Sequence, residues 1–495
     1  MKKIALWIIS LFLIFTYIYF RINPIINQAV PYTYDQGRDF LKTEEIIRYK
    51  NLTFIGPTTG IIGLYHGAWW YYLISIPYLV FDGWPMGFYW FIFLLSFLTN
   101  LIFFFFLIKN FNKLIALIFL SIISTSSYFI SLSFSVSNNI IVPNLILLLI
   151  ITSFYLLKTK KSIYLFLTSL ILSFILEFEV SFGLFIIPIY FLVLILLSKD
   201  KKIFFKLKNI ANTTFGLVIP LIPRLLFEIK NNFLQTKTLV IFFFQPKLHN
   251  PKPFEIVFND RLTAFWHYFK SIFYNYNSQI AFGAFLIIIL TTLVFFYKNK
   301  NFIFKLIKFN LLIILLLFSL SLFYKDNFWF NYFEGIQYIM LFTVLTSLFI
   351  ISKNKKTYFV CCLILIFLIS LSIFKLIRDL NSQNKKTSGF KEIDYSINYI
   401  LKKENSKNFC LKIYTPPVIP YTYNYLISYY SRKNNLQIEE ENFINNQCWY
   451  IIEDDSYQFR INDWKKNNIP KETSIKEKIR LENKTEIQLR VKKTI

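Results

Sequence analysis

The chain is poor in the residues that build metal centres, disulfide-rich scaffolds and tight turns. Its 495 residues include only 3 histidines, 4 cysteines and 12 glycines. No pair of histidines has the short helical spacing of a transition-metal site, so the sequence leaves a requirement for a divalent cation open. Cys361 and Cys362 lie in an apolar run, whereas Cys410 and Cys448 lie in strand-like sequence, and the sequence leaves a disulfide between the latter two open.

Acidic residues are also scarce, with 28 Asp and Glu against 54 Lys and Arg. A net charge of +26 is compatible with nucleic-acid binding. The lysines, however, lie in short segments between apolar runs, where membrane orientation and anionic lipid head groups account for them. The sequence therefore predicts a lipid bilayer as a partner and no nucleic acid.

Apolar sequence is abundant instead. Eleven runs of mostly Phe, Ile, Leu, Tyr and Val each have about the ~20 residues that cross a hydrocarbon core. They indicate a mainly α, polytopic membrane protein with about 11 transmembrane helices. The runs are 4–20, 88–108, 114–132, 139–157, 162–176, 180–198, 209–227, 279–297, 309–324, 335–351 and 357–375.

The charges between these runs predict the topology. Lysine clusters follow every second run and Lys2 and Lys3 precede the first, so these segments are expected to be cytoplasmic. Fifteen acids follow residue 376, and of the other thirteen only Asp200 falls on the cytoplasmic side. We therefore expect a multi-pass protein of the cell (plasma) membrane with a cytoplasmic N-terminus and an outer first loop over 21–87.

The last part of the sequence changes character. It is rich in Lys, Asn and Glu, with period-2 strands at 409–414 and 449–452, a helix near 421–430 and a closing pair at 475–481 and 486–491. The sequence predicts two domains. Residues 1–376 form the membrane domain, and residues 377–495 form a small extracytoplasmic α/β domain.

The first outer loop contains the strongest candidate for chemistry. Asp35 follows the first run and stands beside Arg38, a pattern that suits a base acting on a hydroxyl while a cation holds a phosphate. The alternative is that Asp35 caps a turn, while Arg38 and Asp39 form a surface ion pair at the start of a helix over 39–49.

Other polar residues mark the outer ends of later runs. Arg224 and Glu228 share a helix face, as a structural pair or as part of a site. Glu177 and Glu179 lie between adjacent runs, and Glu179 is the preferred site residue because Ser181 and a glycine follow it.

Two further outer segments are less specific. We expect residues 228–278 to form a mobile cover without a helix through its prolines. The aromatic turn over 324–332 is typical of an interfacial anchor or of a surface that stacks on sugars.

One motif resembles a known family. The stretch Tyr34-Asp35-Gln36-Gly37-Arg38-Asp39, followed by Gly56-Pro57 and Gly63-Leu64-Tyr65-His66-Gly67, resembles the first outer loop of bacterial GT-C membrane glycosyltransferases. Family 39, which includes protein O-mannosyltransferases and aminoarabinose transferases, looks most similar. The motif similarity covers 31–72 and 216–234. Asp35-Gln36 departs from the Asp-Glu of the mannosyltransferases, and Tyr65-His66-Gly67-Ala68 replaces a Lys-Pro-Pro-Leu-like segment, so the resemblance identifies neither sugar nor acceptor.

The resemblance implies an inverting glycosyltransferase that moves a hexose or pentose from a polyprenyl-phosphate donor to a glycan, lipid or protein acceptor outside the membrane. On this hypothesis Asp35 is the base or the carboxylate that orients the acceptor, and Arg38, Arg224 and His66 neutralise the departing phosphate. The remaining predicted substrate-binding residues are Asp39, Tyr65, Glu179 and Glu228.

Two other classes of function stay open. A transporter or flippase of lipid-linked sugars is the main alternative, although the sequence shows no internal repeat. A non-catalytic scaffold is the other, and it predicts that Asp35 can be replaced freely.

Overall fold

The computed structural model describes residues 3–198, 206–244, 252–273, 278–296, 302–324, 326–381, 389–404, 406–416, 419–439 and 442–492. Two of the lysine-rich segments predicted to be cytoplasmic are affected: 199–202 and the first part of 298–308 lie outside the described residues. So do Pro246 and Pro251 of the predicted cover.

Helices dominate the chain up to residue 381. They are α1 (Lys3–Ile26), α2 (Tyr34–Arg48), α3 (Trp69–Val80), α4 (Pro85–Asn110), α5 (Lys113–Thr125), α6 (Ser127–Ser131), α7 (Ile141–Thr159), α8 (Ser162–Phe178), α9 (Val180–Leu196), α10 (Leu207–Lys230), α11 (Leu234–Phe244), α12 (Phe254–Ser271), α13 (Ser278–Phe296), α14 (Phe302–Ser321), α15 (Ile336–Ile351) and α16 (Lys355–Asn381). A 3-10 turn over Asn138–Ile140 precedes α7, and strands β1 (Ile55–Thr58) and β2 (Tyr65–Gly67) precede α3.

Six helices of the described chain are long and apolar enough to cross a membrane, judged by length and composition. These are α1, α4, α7, α10, α14 and α16. Shorter apolar helices, α5, α8, α9, α13 and α15, coincide with the other five predicted runs. The prediction of a mainly helical, multi-pass membrane protein is confirmed, and the count of eleven crossings stays a prediction.

The third predicted run, 114–132, is broken between α5 and α6 at Ser126. The break leaves helix-terminal carbonyl groups in a buried place, where they need donors. Arg21 of α1, which is fully buried, donates to the carbonyl oxygens of Ile123 and Phe129 at 2.8 and 2.9 Å. Lys375 of α16 donates to the carbonyl oxygen of Thr125 at 2.7 Å. The buried Arg21 and the partly buried Lys375 therefore stabilise the interrupted helix.

The first loop is built from α2, an antiparallel hairpin of β1 and β2, and α3. The helix predicted over 39–49 exists but begins at Tyr34. The reason is a capping box, in which the Gln36 side chain accepts a hydrogen bond from the backbone N–H of Thr33 at 2.6 Å. The earlier start places Asp35 in the first turn of α2, where the helix dipole favours a carboxylate.

The predicted cover, 228–278, is more helical than expected. Helices α11 and α12 occupy much of it, and Pro253 precedes α12, a position that proline tolerates because no helical hydrogen bond is lost there. Neither helix runs through Pro253, so that part of the expectation agrees with the structure, and the mobility of the cover stays a prediction.

The tail carries a five-stranded sheet. Its elements are α17 (Gly389–Lys403), β3 (Asn408–Tyr414), α18 (Tyr421–Asn434), β4 (Gln437–Glu439), β5 (Gln447–Ile452), α19 (Gln458–Asn468), β6 (Thr473–Arg480) and β7 (Glu486–Lys492). The strand order is β4-β3-β5-β7-β6, with β3 parallel to both neighbours and the β5–β7 and β7–β6 pairs antiparallel. The strands and the helix predicted here are confirmed, and Cys410 on β3 forms a disulfide with Cys448 on β5.

The tail packs against the first loop. A Cβ atom on Gly37 of α2 would lie 2.5 Å from the backbone N of Thr422, so α2 and α18 approach too closely for any larger residue. The Tyr32 hydroxyl donates to the carbonyl oxygen of Thr422 at 3.1 Å, and the Tyr425 hydroxyl donates to that of Gly83 at 2.6 Å. The sheet domain therefore lies on the same side of the helical bundle as α2.

Candidate active site

A cavity of about 650 Å³ lies between the first loop and the ends of the membrane helices. Its lining comes from α2, the β1–β2 hairpin, the 3-10 turn before α7, the turn between α8 and α9, α11 and the segment 324–333. Four of the predicted site residues line it: Asp35, Arg38, His66 and Glu179. Residues that are far apart in sequence thus meet in one space, which we call the large cavity.

The α2 side of the large cavity carries a chain of charges. Arg38 contacts Asp35 at 2.9 Å and Asp39 at 2.8 Å. The Asp35 side chain is 65% exposed, whereas that of Asp39 is 2% exposed and accepts a hydrogen bond from Trp70 Nε1 at 2.7 Å. Arg38 and Asp39 therefore do not form the surface ion pair of the alternative interpretation. Asp39 binds Arg38 on the side away from the cavity and is not among the described residues that line it.

Burial changes the protonation of this inner carboxyl. It raises the pKa of Asp39 to about 6, although the Arg38 charge and the hydrogen bonds from Trp70 and Arg38 oppose that shift. Asp39 is thus mostly ionised at pH 7 and gives Arg38 a fixed anchor.

His66, on β2, is buried at the cavity wall. Burial lowers its pKa to about 3, and the positive charges of Arg224 and Arg38 act in the same direction. The imidazole is therefore neutral at pH 7. It can take part in a hydrogen bond, but it does not supply the positive charge expected of it.

Glu179 lies at the turn between α8 and α9 and is 5% exposed. Burial raises its pKa to about 8, against hydrogen bonds from Ser181 that lower it. Glu334, whose own pKa burial raises to about 7, adds to the effect. At pH 7 Glu179 is mostly protonated, so it can donate a hydrogen bond as well as accept one.

Arg224, on α10, lies behind the hairpin. It donates to Glu177 Oε1 at 2.6 Å, to the Tyr65 carbonyl oxygen at 2.9 Å and to Gln235 Oε1 at 2.7 Å. The pairing of Arg224 with Glu228 considered from the sequence is wrong, because Arg224 pairs with Glu177. Among the described residues that line the large cavity, neither Arg224 nor Tyr65 appears.

Glu228 has a structural environment. Its two oxygens accept hydrogen bonds from the backbone N–H groups of Gln235 and Thr236, both at 2.9 Å, and from the Thr236 hydroxyl at 2.7 Å. These donors belong to the first turn of α11, so Glu228 caps that helix. It acts on the large cavity through α11, which contributes Leu239, Phe242 and Phe243 to the lining.

Several lining residues were missed from the sequence. Ser135, Asn138 and Asn139 come from the short link between the third and fourth runs, where a cluster of Ser and Asn in apolar sequence was an available signal. Phe242 and Phe243 had no signal, because aromatic residues occur throughout. Tyr324, Trp329 and Tyr332 of the predicted aromatic turn do line the cavity.

Within the described ranges, no three His, Cys, Asp or Glu side chains form a group that could hold an ion.

Comparison with known proteins gives the fold. No protein-family model matches the sequence, and no curated protein matches it. ArnT from Cupriavidus metallidurans in the apo state matches with a TM-score of 0.57 and 8% identity, over 98% of this chain and 97% of that one. ArnT bound to undecaprenyl phosphate gives the same TM-score and identity over 99% and 98%. This chain therefore shares the fold of ArnT over nearly its whole length.

Proposed function

We propose that this protein transfers a sugar from a polyprenyl-phosphate donor to an acceptor hydroxyl, with Asp35 as the base. The observation that carries the proposal is the large cavity, which brings Asp35 and Arg38 together with Glu179. The shared fold adds support to the proposal, because ArnT is an aminoarabinose transferase and has been solved bound to undecaprenyl phosphate.

The reaction needs one displacement at the anomeric carbon. Asp35 accepts the proton of the acceptor hydroxyl while that oxygen bonds to the anomeric carbon. The bond between this carbon and the phosphate oxygen breaks, and the electron pair leaves with the polyprenyl phosphate. One displacement inverts the configuration of the carbon.

Arg38 is the cation that we assign to the departing phosphate. Its side chain is 21% exposed, lines the large cavity and is held by the buried Asp39. A positioned arginine stabilises charge as it develops on a phosphate, and the buried Asp39 fixes its direction.

The other cavity residues have binding roles in this proposal. Protonated Glu179 donates a hydrogen bond to a sugar hydroxyl, and His66 contributes a neutral hydrogen-bonding group. Trp329 and Tyr332 supply ring faces. Arg224, Tyr65, Asp39 and Glu228 support the cavity from behind, without contact with the substrate.

Two observations support a site on the outer face of the membrane. The α/β domain packs on the same side as the large cavity, and it contains the Cys410–Cys448 disulfide. Disulfides persist in oxidising compartments and are rare in the cytosol.

The test uses the full-length protein in lipid nanodiscs with a panel of radiolabelled polyprenyl-phosphate sugars and a membrane extract as the source of acceptor. We expect the wild type to consume one of the donors. Asp35→Asn should slow that consumption by about 10²–10⁴-fold, the usual contribution of a general base. Glu45→Gln is the matched control, because Glu45 lies on the same helix in a surface pair with Lys42.

Three results would overturn the proposal or part of it. Equal consumption by the wild type and Asp35→Asn removes Asp35 as the base. Movement of intact donor across the bilayer without bond cleavage indicates a flippase. Absence of both activities with every donor rejects a lipid-linked sugar as the substrate.

A further inference from the structure

A second, smaller cavity lies at the contact between the first loop and the α/β domain. It measures about 180 Å³, and we call it the small cavity. Tyr32 and Tyr34 line it from the first loop, and Glu392, Glu453 and Asn483 line it from the domain. None of the roles assigned above uses this space.

The segment from Pro31 into the first turn of α2 separates the two cavities. Pro31, Thr33 and Asp35 line the large cavity, whereas Tyr32 and Tyr34 line the small one. Thr33 has extended backbone, with φ −116° and ψ 170°, which turns its neighbours to the opposite side, and Tyr34 and Asp35 begin α2. The residue that we assign as the base thus directly follows a residue that lines the small cavity.

The segment is fixed on the side of the small cavity. The Tyr34 ring packs edge-on against Tyr421 with centroids 4.7 Å apart. The Tyr32 hydroxyl donates to the Thr422 carbonyl oxygen, and the Tyr32 ring packs against Phe390 at 5.4 Å. Contacts with α17 and α18 therefore hold the segment around Tyr32 and Tyr34, which we call the shared wall of the two cavities.

The small cavity is lined by acidic side chains, although the chain as a whole is basic. Glu453 accepts a hydrogen bond from the Tyr423 hydroxyl at 2.9 Å, and Glu392 accepts one from Asn483 at 2.8 Å. The two carboxyls are close enough for the charge of Glu392 to act with burial in raising the pKa of Glu453. In a chain with 54 basic residues, no Lys or Arg occurs among the described residues that line this space.

We propose that the small cavity is the acceptor subsite and binds one sugar ring that presents hydroxyl groups or an amine. Paired carboxylates and an amide offer hydrogen-bond acceptors and a donor to hydroxyls, attract an ammonium group and disfavour a phosphate. The two tyrosine rings add apolar surface. Drug-sized ligands need roughly 300–1,000 Å³, so a cavity of this size fits one ring of a longer acceptor.

This inference rests on the proposed function, because it assigns the acceptor of the same reaction. It also gives the α/β domain a purpose, since Glu392, Glu453 and Asn483 all belong to that domain. If one sugar ring of the acceptor binds beside Tyr34, the next ring of the same acceptor would lie closer to Asp35.

The experiment measures sugar binding separately from donor turnover, with the full-length protein in nanodiscs. Three probes are titrated without donor: a glucosamine disaccharide, its N-acetylated form and an alkyl glycoside of the same disaccharide. A lysine-rich peptide is the fourth probe. The test protein is the double variant Glu453→Gln with Glu392→Gln. The control is Asp463→Asn, because Asp463 is an exposed acid of the same domain. Donor hydrolysis without any added sugar is the second readout.

We expect at least one disaccharide probe to bind, and the double variant to weaken its binding by about tenfold or more, with unchanged donor hydrolysis and melting temperature. Binding of both soluble and alkyl-linked sugar indicates a glycan acceptor, and binding of the alkyl glycoside alone indicates a glycolipid. Either outcome supports the subsite.

Other outcomes overturn the inference. Sugar binding that is equal in the wild type and the double variant removes the small cavity as the subsite, and binding of the peptide alone assigns it to another class of partner. If the double variant melts earlier, the single variants Glu453→Gln and Glu392→Gln must each weaken sugar binding in a folded protein for the inference to stand. Sugar binding in a protein that consumes no donor contradicts the proposed function and, with it, the assignment as an acceptor subsite.

Discussion

Two arginine–carboxylate pairs lie beside the large cavity, and they differ in what they face. The front pair is Arg38 with the buried Asp39, and its arginine also contacts Asp35, whereas the rear pair is Arg224 with Glu177. Arg38 on α2 is 21% exposed, lines the cavity and reaches the exposed Asp35. Arg224 on α10 is 14% exposed, pairs with a fully buried Glu177 and also binds backbone of the hairpin. The arginines are similarly exposed, yet only one meets the space where a substrate fits. Both arginines have a buried carboxylate partner, and only Arg38 has a second partner, Asp35, that is exposed to the cavity.

Substitutions in the two pairs should therefore have different effects on stability and on turnover. Removing one partner of a buried ion pair typically costs about 3–5 kcal/mol, because a charge is left without compensation. Removing a cation that faces a substrate lowers turnover, and its effect on stability is limited when the buried partner is neutralised as well. The predictions below use this difference.

The largest expected effect is on the rear pair, through Gly67→Ala. A Cβ atom at Gly67 would lie 1.9 Å from Glu177 Oε2, so the carboxylate must move away from Arg224. We expect a loss of about 3–5 kcal/mol in the free energy of unfolding, read as a lower melting temperature in nanodiscs. Gly60→Ala is the control, because the nearest atom there is the Tyr332 hydroxyl at an ordinary 3.6 Å. Equal melting temperatures for the two variants would show that Glu177 is not held as described.

The front pair should show a dependence of stability on pH. Burial raises the folded-state pKa of Asp39 to about 6, above the ordinary value of ~3.9 in the unfolded chain. The folded state then binds the proton more tightly, so this contribution is full below about pH 4 and is lost as pH rises through about 6. We expect the wild type to lose on the order of 2–3 kcal/mol across that window. Thermal melts of Asp39→Asn should show a decline that is smaller by this amount, and a decline of the same size in both proteins would contradict the assignment.

The smallest effect is kinetic and concerns Glu179. Its pKa of about 8 keeps it protonated at pH 7, so turnover should fall as pH rises past about 8 and the donated hydrogen bond is lost. Glu179→Gln retains a donor at every pH and should remove this fall while keeping turnover at pH 7 within about tenfold of the wild type. A high-pH fall that persists in Glu179→Gln assigns it to another group.

Much of the fold could be predicted because it rests on composition. The apolar runs place the helices of the membrane domain, and period-2 alternation places β3, β5, β6 and β7. The exceptions follow from tertiary contacts. Arg21 and Lys375 stabilise a break at Ser126 within an apolar run, and Glu228 begins α11 in a segment that reads as a loop. Neither contact leaves a local sequence pattern.

The site was predicted where one segment carries it. Asp35, Arg38 and His66 lie within the first loop, so a short motif finds them. Arg224 and Glu177 are 47 residues apart, and the helix-face argument instead pairs Arg224 with its neighbour Glu228. The small cavity has no sequence signal at all, because it forms only where α17, α18 and the ends of two strands meet the segment around Tyr34.

The most direct test of the account compares two charge-neutral double variants, Arg38→Gln with Asp39→Asn and Arg224→Gln with Glu177→Gln. Each replaces an ion pair by amides that can still hydrogen-bond, which limits the cost of an unpaired buried charge. Donor turnover and melting temperature are measured on the same nanodisc samples. We expect the front variant to lose about 10²-fold or more in turnover and to keep its melting temperature, and the rear variant to keep turnover within about tenfold of the wild type. Loss of turnover in a stable rear variant, together with a fully active front variant, would contradict the assignment of Arg38 as the cation that faces the substrate.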